Sequence, residues 1–226
     1  MEEAARLAPS LDRPTWIMAD RQEAGRGRRG RSWQAGEGNL AATLVSYPAC
    51  TPPVAAQRSF MAAIALFETL AMHVERGRLA VKWPNDVLMD GGKVAGILLE
   101  AAGTGPFLDW LAVGIGVNLA ALPDGIAGAD FPPVTLRSAG VEVAPADFLA
   151  TLAGAFETQE AKLAALGFAV IREDWLRKAA RLGEVITARL PEREVTGRFE
   201  SVDENGNLLL RTAEGVEVIA AADIHF

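Results

Sequence analysis

The sequence predicts a two-part fold: an α/β catalytic-type domain over residues 1–181 and a small β-barrel over residues 182–226. Two observations predict it. Up to Arg181, short runs of β-forming residues are interleaved with segments of helical periodicity. After Gly183 the texture changes to short strands joined by turns such as Asp203-Glu-Asn-Gly206, and regular spacing over about forty residues describes a small barrel. Half of the 226 residues are hydrophobic, enough to bury a large core.

Residues 2–8 read as a helix that starts without an N-cap. Residues 15–19 form a short apolar strand that leads into an arginine-glycine loop, and 39–47 form a second strand carrying Thr43, Val45 and Tyr47. Prolines 48, 52 and 53 break the chain. Phe60, Ile64, Phe67, Leu70 and Val74 then recur at helical spacing, which predicts one long buried helix over 54–75. Residues 79–83 form a strand ended by Pro84, and 87–89 and 94–100 flank Asp90-Gly-Gly92 as a tight hairpin. A further strand covers 108–118. Residues 120–135, rich in Pro, Gly and Asp, read as a mobile loop, and 145–166 and 168–181 as helices. Strands at 184–190, 195–202, 207–212 and 216–220 complete the barrel.

Composition excludes several classes. No apolar run reaches the roughly 20 residues that span a bilayer, so no membrane role is expected. Cys50 is the one cysteine, which excludes an internal disulfide framework and predicts a cytoplasmic location. A net charge of −7 argues against nucleic acid or an anionic membrane as partner. The two histidines, His73 mid-helix and His225 next to the last residue, make neither a Ser-His-Asp arrangement nor a His-rich metal site expected. Cys50 has no identifiable activator and reads as inert.

Three blocks carry chemistry. Arg21, Arg26, Arg28, Arg29 and Arg31 fall within eleven residues, the last four threaded through Gly25, Gly27 and Gly30. Like charges at such spacing repel, so an anion is expected to visit the loop. Gly25-x-Gly27-x-x-Gly30 matches the dinucleotide fingerprint, but a strand follows rather than a helix, and no acidic residue stands about 20 positions on. The glycines read instead as hinges that close guanidinium forks over phosphate or carboxylate; a solvated basic loop or a local nucleic-acid contact is the plainer alternative. The second block is Val81-Lys-Trp-Pro-Asn-Asp86 with Gly91-Gly-Lys93 beyond it. There Asn85 and Asp86 either orient a nucleotide or metal-bound phosphate, or cap a turn. Lys93 is either a ligand contact or an exposed hairpin charge. The third block is Val113-Gly-Ile-Gly-Val-Asn118, whose alternate glycines leave one strand face bare for a flat group such as an adenine or fused ring, or for close packing by another element.

Together Gln22–Trp33, Lys82–Asp86, Gly92–Glu100 and Gly114–Asn118 resemble the biotin protein ligase family, whose members attach biotin to carboxylase carrier domains. The resemblance, extending from about residue 2 to the C-terminus, implies an α+β fold: a mixed β-sheet with flanking helices, related to class II aminoacyl-tRNA synthetases, plus an SH3-like barrel. It implies ATP-dependent formation of biotinyl-5′-adenylate followed by transfer to a lysine of a biotin carboxyl carrier domain. ATP and Mg²⁺ act as co-substrate and ion, biotin is the substrate, and no tightly bound cofactor is needed. Arg28 and Lys93 take the catalytic roles. Gln22, Arg26, Gly27, Arg28, Trp33, Lys93, Gly96 and Gly116 line the biotin pocket. Arg28, Arg29, Lys82, Asn85, Asp86 and Asn118 serve ATP and adenylate, with Asp86 as a candidate Mg²⁺ ligand.

The sequence departs from the family pattern at three places. The opening strand with its Asp-Ser-Thr-Asn-like segment is absent, so Met1 is expected to be internal to the natural protein, or else biotin is bound poorly. The two prolines at 132 and 133 are expected to stiffen a loop that covers the adenine. The ending Ala221–Phe226 is atypical. No helix-turn-helix precedes the catalytic domain, so a monofunctional enzyme is expected, and relatives suggest a homodimer. Lipoate or octanoate attachment, or a catalytically weakened biotin-binding module, are the alternative functions.

Overall fold

The computed structural model describes residues 1–226 except Ser32, Gln34, Ala35 and 123–130; for Arg29 the backbone alone is described. Helix α1 (Glu2–Leu7) leads to β1 (Thr15–Met18) and, beyond the arginine-glycine loop, to β2 (Leu40–Ser46). Helices α2 (Pro52–Ala56) and α3 (Arg58–Leu70) follow, then β3 (Leu79–Lys82), β4 (Asp86–Met89), β5 (Gly92–Ala102) and β6 (Trp110–Val117). These strands form one six-stranded sheet in the order β1-β2-β6-β5-β4-β3. Every ladder between them is antiparallel, and parallel pairing enters at the isolated bridges Val81↔Ala179 and Lys93↔Pro133.

Strand alternation gives the sheet two faces with different tasks. Leu40, Ala42 and Leu44 pair with Val117, Ile115 and Val113 and point into the main core. That core is closed by α3, α4 (Pro145–Leu166) and α5 (Phe168–Lys178), with Phe148, Leu152 and Trp175 buried among them. On the other face Val45 and Ala112 meet Ala4 and Ala8, so α1 covers one end. The rest of that second face is the floor of the cleft described below.

The long helix expected over 54–75 is two shorter ones. The Gln57 carbonyl accepts from Phe60 N at 3.1 Å, a tightened i→i+3 turn that separates α2 from α3. Similar i→i+3 bonds, Met72 N to Thr69 O and His73 N to Leu70 O, end α3 five residues early. Helix α5 stops at Lys178 rather than Arg181, because Ala179 turns extended and Ala180 N donates to Val81 O at 2.8 Å. Asp90 and Gly91 both have positive φ, 52° and 79°, the conformation a two-residue hairpin needs between β4 and β5.

The C-terminal strands β7 (Val185–Arg189), β8 (Glu194–Val202), β9 (Leu208–Thr212), β10 (Gly215–Ile219) and β11 (Asp223–His225) form an antiparallel sheet in the order β10-β9-β8-β7-β11. The SH3-like strand set is present, but the pairing runs in open order: among the described residues no ladder closes β10 onto β11 as a barrel would. Strand β11 was not foreseen; three residues are too few to show alternation. Trp83 Nε1 donates to Gly206 O at 2.9 Å, docking the Asp203–Gly206 turn on the catalytic unit. A Cβ at Gly206 would come within 2.8 Å of Phe60, so the bare glycine permits this approach.

Candidate active site

A cleft of about 450 Å³ opens over the second sheet face. Its floor is set by register: Gly96 pairs with Gly116 and Leu98 with Gly114, so all four positions share one face, and Asp86 pairs with Gly96 beside them. Apart from Arg29, whose side chain lies outside the described residues, every residue expected in the site lines this cleft: Gln22, Arg26, Gly27 and Arg28 with Trp33 on the loop; Lys82, Asn85, Asp86, Lys93, Gly96, Gly116 and Asn118 on the sheet.

The loop is a hairpin rather than a free hinge. Trp33 N donates to Gly25 O at 2.9 Å and Gly27 N to Arg31 O at 2.7 Å, with a 3₁₀ turn at Arg28–Gly30 as its tip. A Cβ at Gly25 would fall 2.2 Å from Trp33 O, so close backbone crossing requires the glycine; at Gly30 the requirement is a φ of 71°. Arg26 forks onto Glu100 of β5, with Nε 3.1 Å from Oε1 and Nη2 3.2 Å from Oε2. Arg31 reaches the second sheet, 2.5 Å from Asp223 Oδ1 on β11. Two of the loop's cations thus fasten it in place.

Trp33 occupies the bare glycine face. A Cβ on Gly116 would lie 2.5 Å from its indole and one on Gly96 3.3 Å away, so the ring lies directly on the strip. In place of the expected adenine or fused ring, close packing by another part of the chain covers the strip. Lys93 Nζ sits 5.4 Å from the centre of that ring. Gln22 Oε1 and Trp33 Nε1 are buried beside the cleft without a hydrogen-bond partner among the described residues.

Lys93 is not an exposed hairpin charge. Its Nζ lies 2.7 Å from Asp86 Oδ1, and Lys82 Nζ lies 3.9 Å from Oδ2 of the same carboxylate. Burial pulls the Lys82 ammonium below the ordinary lysine range; Asp86 opposes this and Lys93 adds to it. Lys82 also stands 4.4 Å over the Phe131 ring. Asn85 and Asn118 brace backbone. Asn85 Nδ2 donates to Ile97 O, while Asn118 Nδ2 donates to Lys93 O at 3.3 Å. Lys93 N in turn donates to Pro132 O and its carbonyl accepts from Val134 N, both at 3.0 Å, so 132–134 is tied to the start of β5. Of the loop expected to cover adenine, Ala129 and Asp130 lie outside the described residues.

Magnesium fits this donor set poorly. Among the described residues no three His, Cys, Asp or Glu side chains converge. Both oxygens of Asp86, the expected ligand, face ammonium groups. A magnesium ion bound mainly by phosphate oxygens and water needs only one or two protein carboxylates.

Sequence reasoning missed the far wall. Arg31, Phe131, Asp223 and His225 line the cleft, as do Met1 and Thr43 at the floor. Met1 Sδ is 3.5 Å from Thr43 Oγ1, and a Cβ at Gly114 would lie 2.4 Å from that sulfur. The bare strip of Gly114 was the available signal, but what covers it depends on three-dimensional placement.

Residues 4–118 match the model of the biotin/lipoate A/B protein ligase family, and residues 182–226 that of the biotin protein ligase C terminal domain. A biotin–[acetyl-CoA-carboxylase] ligase of Paracoccus denitrificans is 51% identical over 229 residues, covering 99% of this chain and 95% of its own. The bifunctional ligase/repressor BirA of Bacillus subtilis is 30% identical over 93% of this chain, which spans 65% of that protein's length. The biotin protein ligase of Aquifex aeolicus, solved in complex with biotin and ATP, superposes with a TM-score of 0.82 at 27% identity, over 98% of this chain and 92% of that one. With its sequence blocks meeting in one cleft and residues 4–118 and 182–226 matched, the chain belongs to the biotin/lipoate A/B protein ligase family.

Proposed function

We propose that the chain is a biotin–[acetyl-CoA-carboxylase] ligase. It activates biotin with ATP as biotinyl-5′-adenylate and passes the biotinyl group to a lysine of a carboxyl carrier domain. The observation that carries this reading is the convergence of four cations, Lys82, Lys93, Arg28 and Arg31, on one cleft whose glycine floor Trp33 covers.

The chemistry asks for what the cleft holds. A biotin carboxylate oxygen attacks the α-phosphorus of ATP, the bond to the bridging oxygen breaks, and pyrophosphate leaves. Two unit charges 4 Å apart repel by about 4 kcal/mol at an effective dielectric of 20, so uncompensated anions would not meet. Ammonium and guanidinium groups already fixed by Asp86, Asp223 and backbone braces neutralise that repulsion without reorganising. Neither half-reaction needs a protein nucleophile. In the second, the carrier amine attacks the anhydride carbonyl, the C–N bond forms and AMP departs.

The hairpin loop over the floor would exclude water from the adenylate. The reaction is assigned to the cytoplasm, since Cys50 is a free thiol and fits a reducing compartment. Among the described residues no helix is long and apolar enough to cross a membrane.

The test is transfer of labelled biotin to a purified carrier domain. Label should appear on one carrier lysine only when ATP and magnesium are present. A carrier that stays unlabelled with this chain, yet is labelled by the Paracoccus denitrificans relative, contradicts the proposal.

A further inference from the structure

The chemistry proposed above makes an acyl-phosphate anhydride, which acylates any neutral amine it meets. A protein that produces one is exposed to it first. The chain holds 22 basic residues, of which four are lysines, and each of the four is gripped by an aspartate. In the cleft Asp86 holds Lys93 at 2.7 Å and Lys82 at 3.9 Å. Outside it, where α4 meets α5, Asp174 holds Lys178 at 2.5 Å and Lys162 at 3.3 Å. Lys178 also lies 3.5 Å from Glu68.

No lysine side chain is more than 29% exposed. Where the surface carries an open cation, it carries arginine: Arg6, Arg76, Arg193 and Arg211 are each more than half exposed. A guanidinium stays protonated at any working pH and offers no lone pair to an anhydride.

We infer that Asp86 and Asp174, each pairing with two of the four lysines, shield the lysine side chains from acylation by the chain's own adenylate. The inference rests on the proposed adenylate chemistry. The step being suppressed is attack of a neutral Nζ on the anhydride carbonyl: the C–N bond forms, the C–O bond to phosphate breaks, AMP leaves with the electron pair and the nitrogen loses a proton to solvent. Only the neutral amine has the electron pair. An ordinary lysine, with a pKa near 10.4, is neutral about once in a thousand molecules at pH 7.4, and each unit of change moves that fraction tenfold.

Lys93 and Lys82 carry the greatest risk because they stand where the anhydride forms. Around Lys82 the charged neighbours are Asp86, Lys93, Asp223 and Arg31; burial and the two cations favour the neutral amine, and the carboxylates oppose them. Asp86 acts on Lys82 more strongly than Asp223 does, and is paired with both cleft lysines.

The test supplies chemically prepared biotinyl-5′-adenylate to the chain without a carrier, and maps biotin on lysine side chains by peptide mass spectrometry. Three proteins are compared: the parent, Asp86→Asn, and Arg198→Lys, which adds an amine at an exposed position of β8 away from the cleft. Expected are negligible label on the four native lysines of the parent, ready label on the amine introduced by Arg198→Lys, and at least about tenfold more label on Lys93 or Lys82 in Asp86→Asn. Native lysines labelled as fast as the introduced amine would overturn the inference. So would an Asp86→Asn protein whose cleft lysines stay unlabelled, whether or not it binds the adenylate. Prepared adenylate keeps the result separate from the parent reading, which fails if the unmodified chain makes no adenylate from biotin and ATP.

Discussion

Lys93 and Asp86 meet as an ion pair at 2.7 Å on the cleft floor, and the same carboxylate stands 3.9 Å from Lys82. One acid thereby positions two cations of the cleft. It does so beside Gly96, its partner in the β4–β5 register, where a Cβ would come within 3.3 Å of both Lys93 and the Trp33 ring.

Lys82 costs stability where it stands. Its folded pKa is lowered, chiefly by burial, so the unfolded chain binds the proton more tightly than the folded one. Stability therefore rises with pH from the folded value up to the unfolded lysine value near 10.4. Lys82→Met should leave stability unchanged or raise it by up to about 2 kcal/mol, because a buried charge is replaced by an apolar chain. Adenylate formation should nonetheless fall. Urea unfolding and pyrophosphate exchange on the same preparation check both halves, and a variant both less stable and fully active would refute the assignment.

Gly116→Ala tests the floor. The new methyl would lie 2.5 Å from the Trp33 indole, a side chain that can move, so the fold should survive. A ligand ring using that face would meet the methyl too. Biotin or adenylate affinity should drop at least about tenfold, roughly 1.4 kcal/mol, by calorimetry.

Arg28 sits at the loop tip and lines the cleft. Arg28→Gly should leave thermal unfolding near that of the parent and shorten the time for which the chain retains its adenylate. Retention measured by rapid filtration decides it; equal lifetimes in parent and variant would remove the loop's shielding role.

Asp174 anchors α5 to α4 through Lys178 and Lys162. Burial pushes its carboxyl up, but hydrogen bonding and charge from those lysines win, leaving it below the ordinary range. Glu68 is lowered as well, first by its hydrogen bond with Arg76. For depressed carboxyls the stabilisation is full above the unfolded value near 4 and is lost as pH falls through the folded value. Asp174→Asn should cost about 1–3 kcal/mol at pH 7, and the deficit should shrink toward pH 3. Denaturation midpoints across that range measure it.

The floor of the site was legible in the sequence because its parts are local. Lys82–Asp86, the Asp90-Gly91 hairpin and the alternate glycines of β6 each announce themselves within a few residues. The far wall was not. Arg31 and Asp223 are separated by 192 positions, and nothing in the neighbourhood of either names the other. The glycine strip left open a flat ligand group or close packing by another element; the structure shows the second, with Trp33 on the strip, since a side chain's place on a loop depends on how the hairpin from Gly25 to Trp33 crosses itself. The expected helix over 54–75 failed for a similar reason: periodicity runs through Gln57, where the hydrogen bonding tightens and the axis restarts.

The most direct measurement is biotin-dependent exchange of labelled pyrophosphate into ATP, compared between the parent and Lys93→Met. If fixed cations on the cleft floor enable the carboxylate to reach the α-phosphorus, the parent exchanges label only with biotin present, and the variant loses at least about 100-fold. A Lys93→Met protein that exchanges at the parental rate contradicts the account.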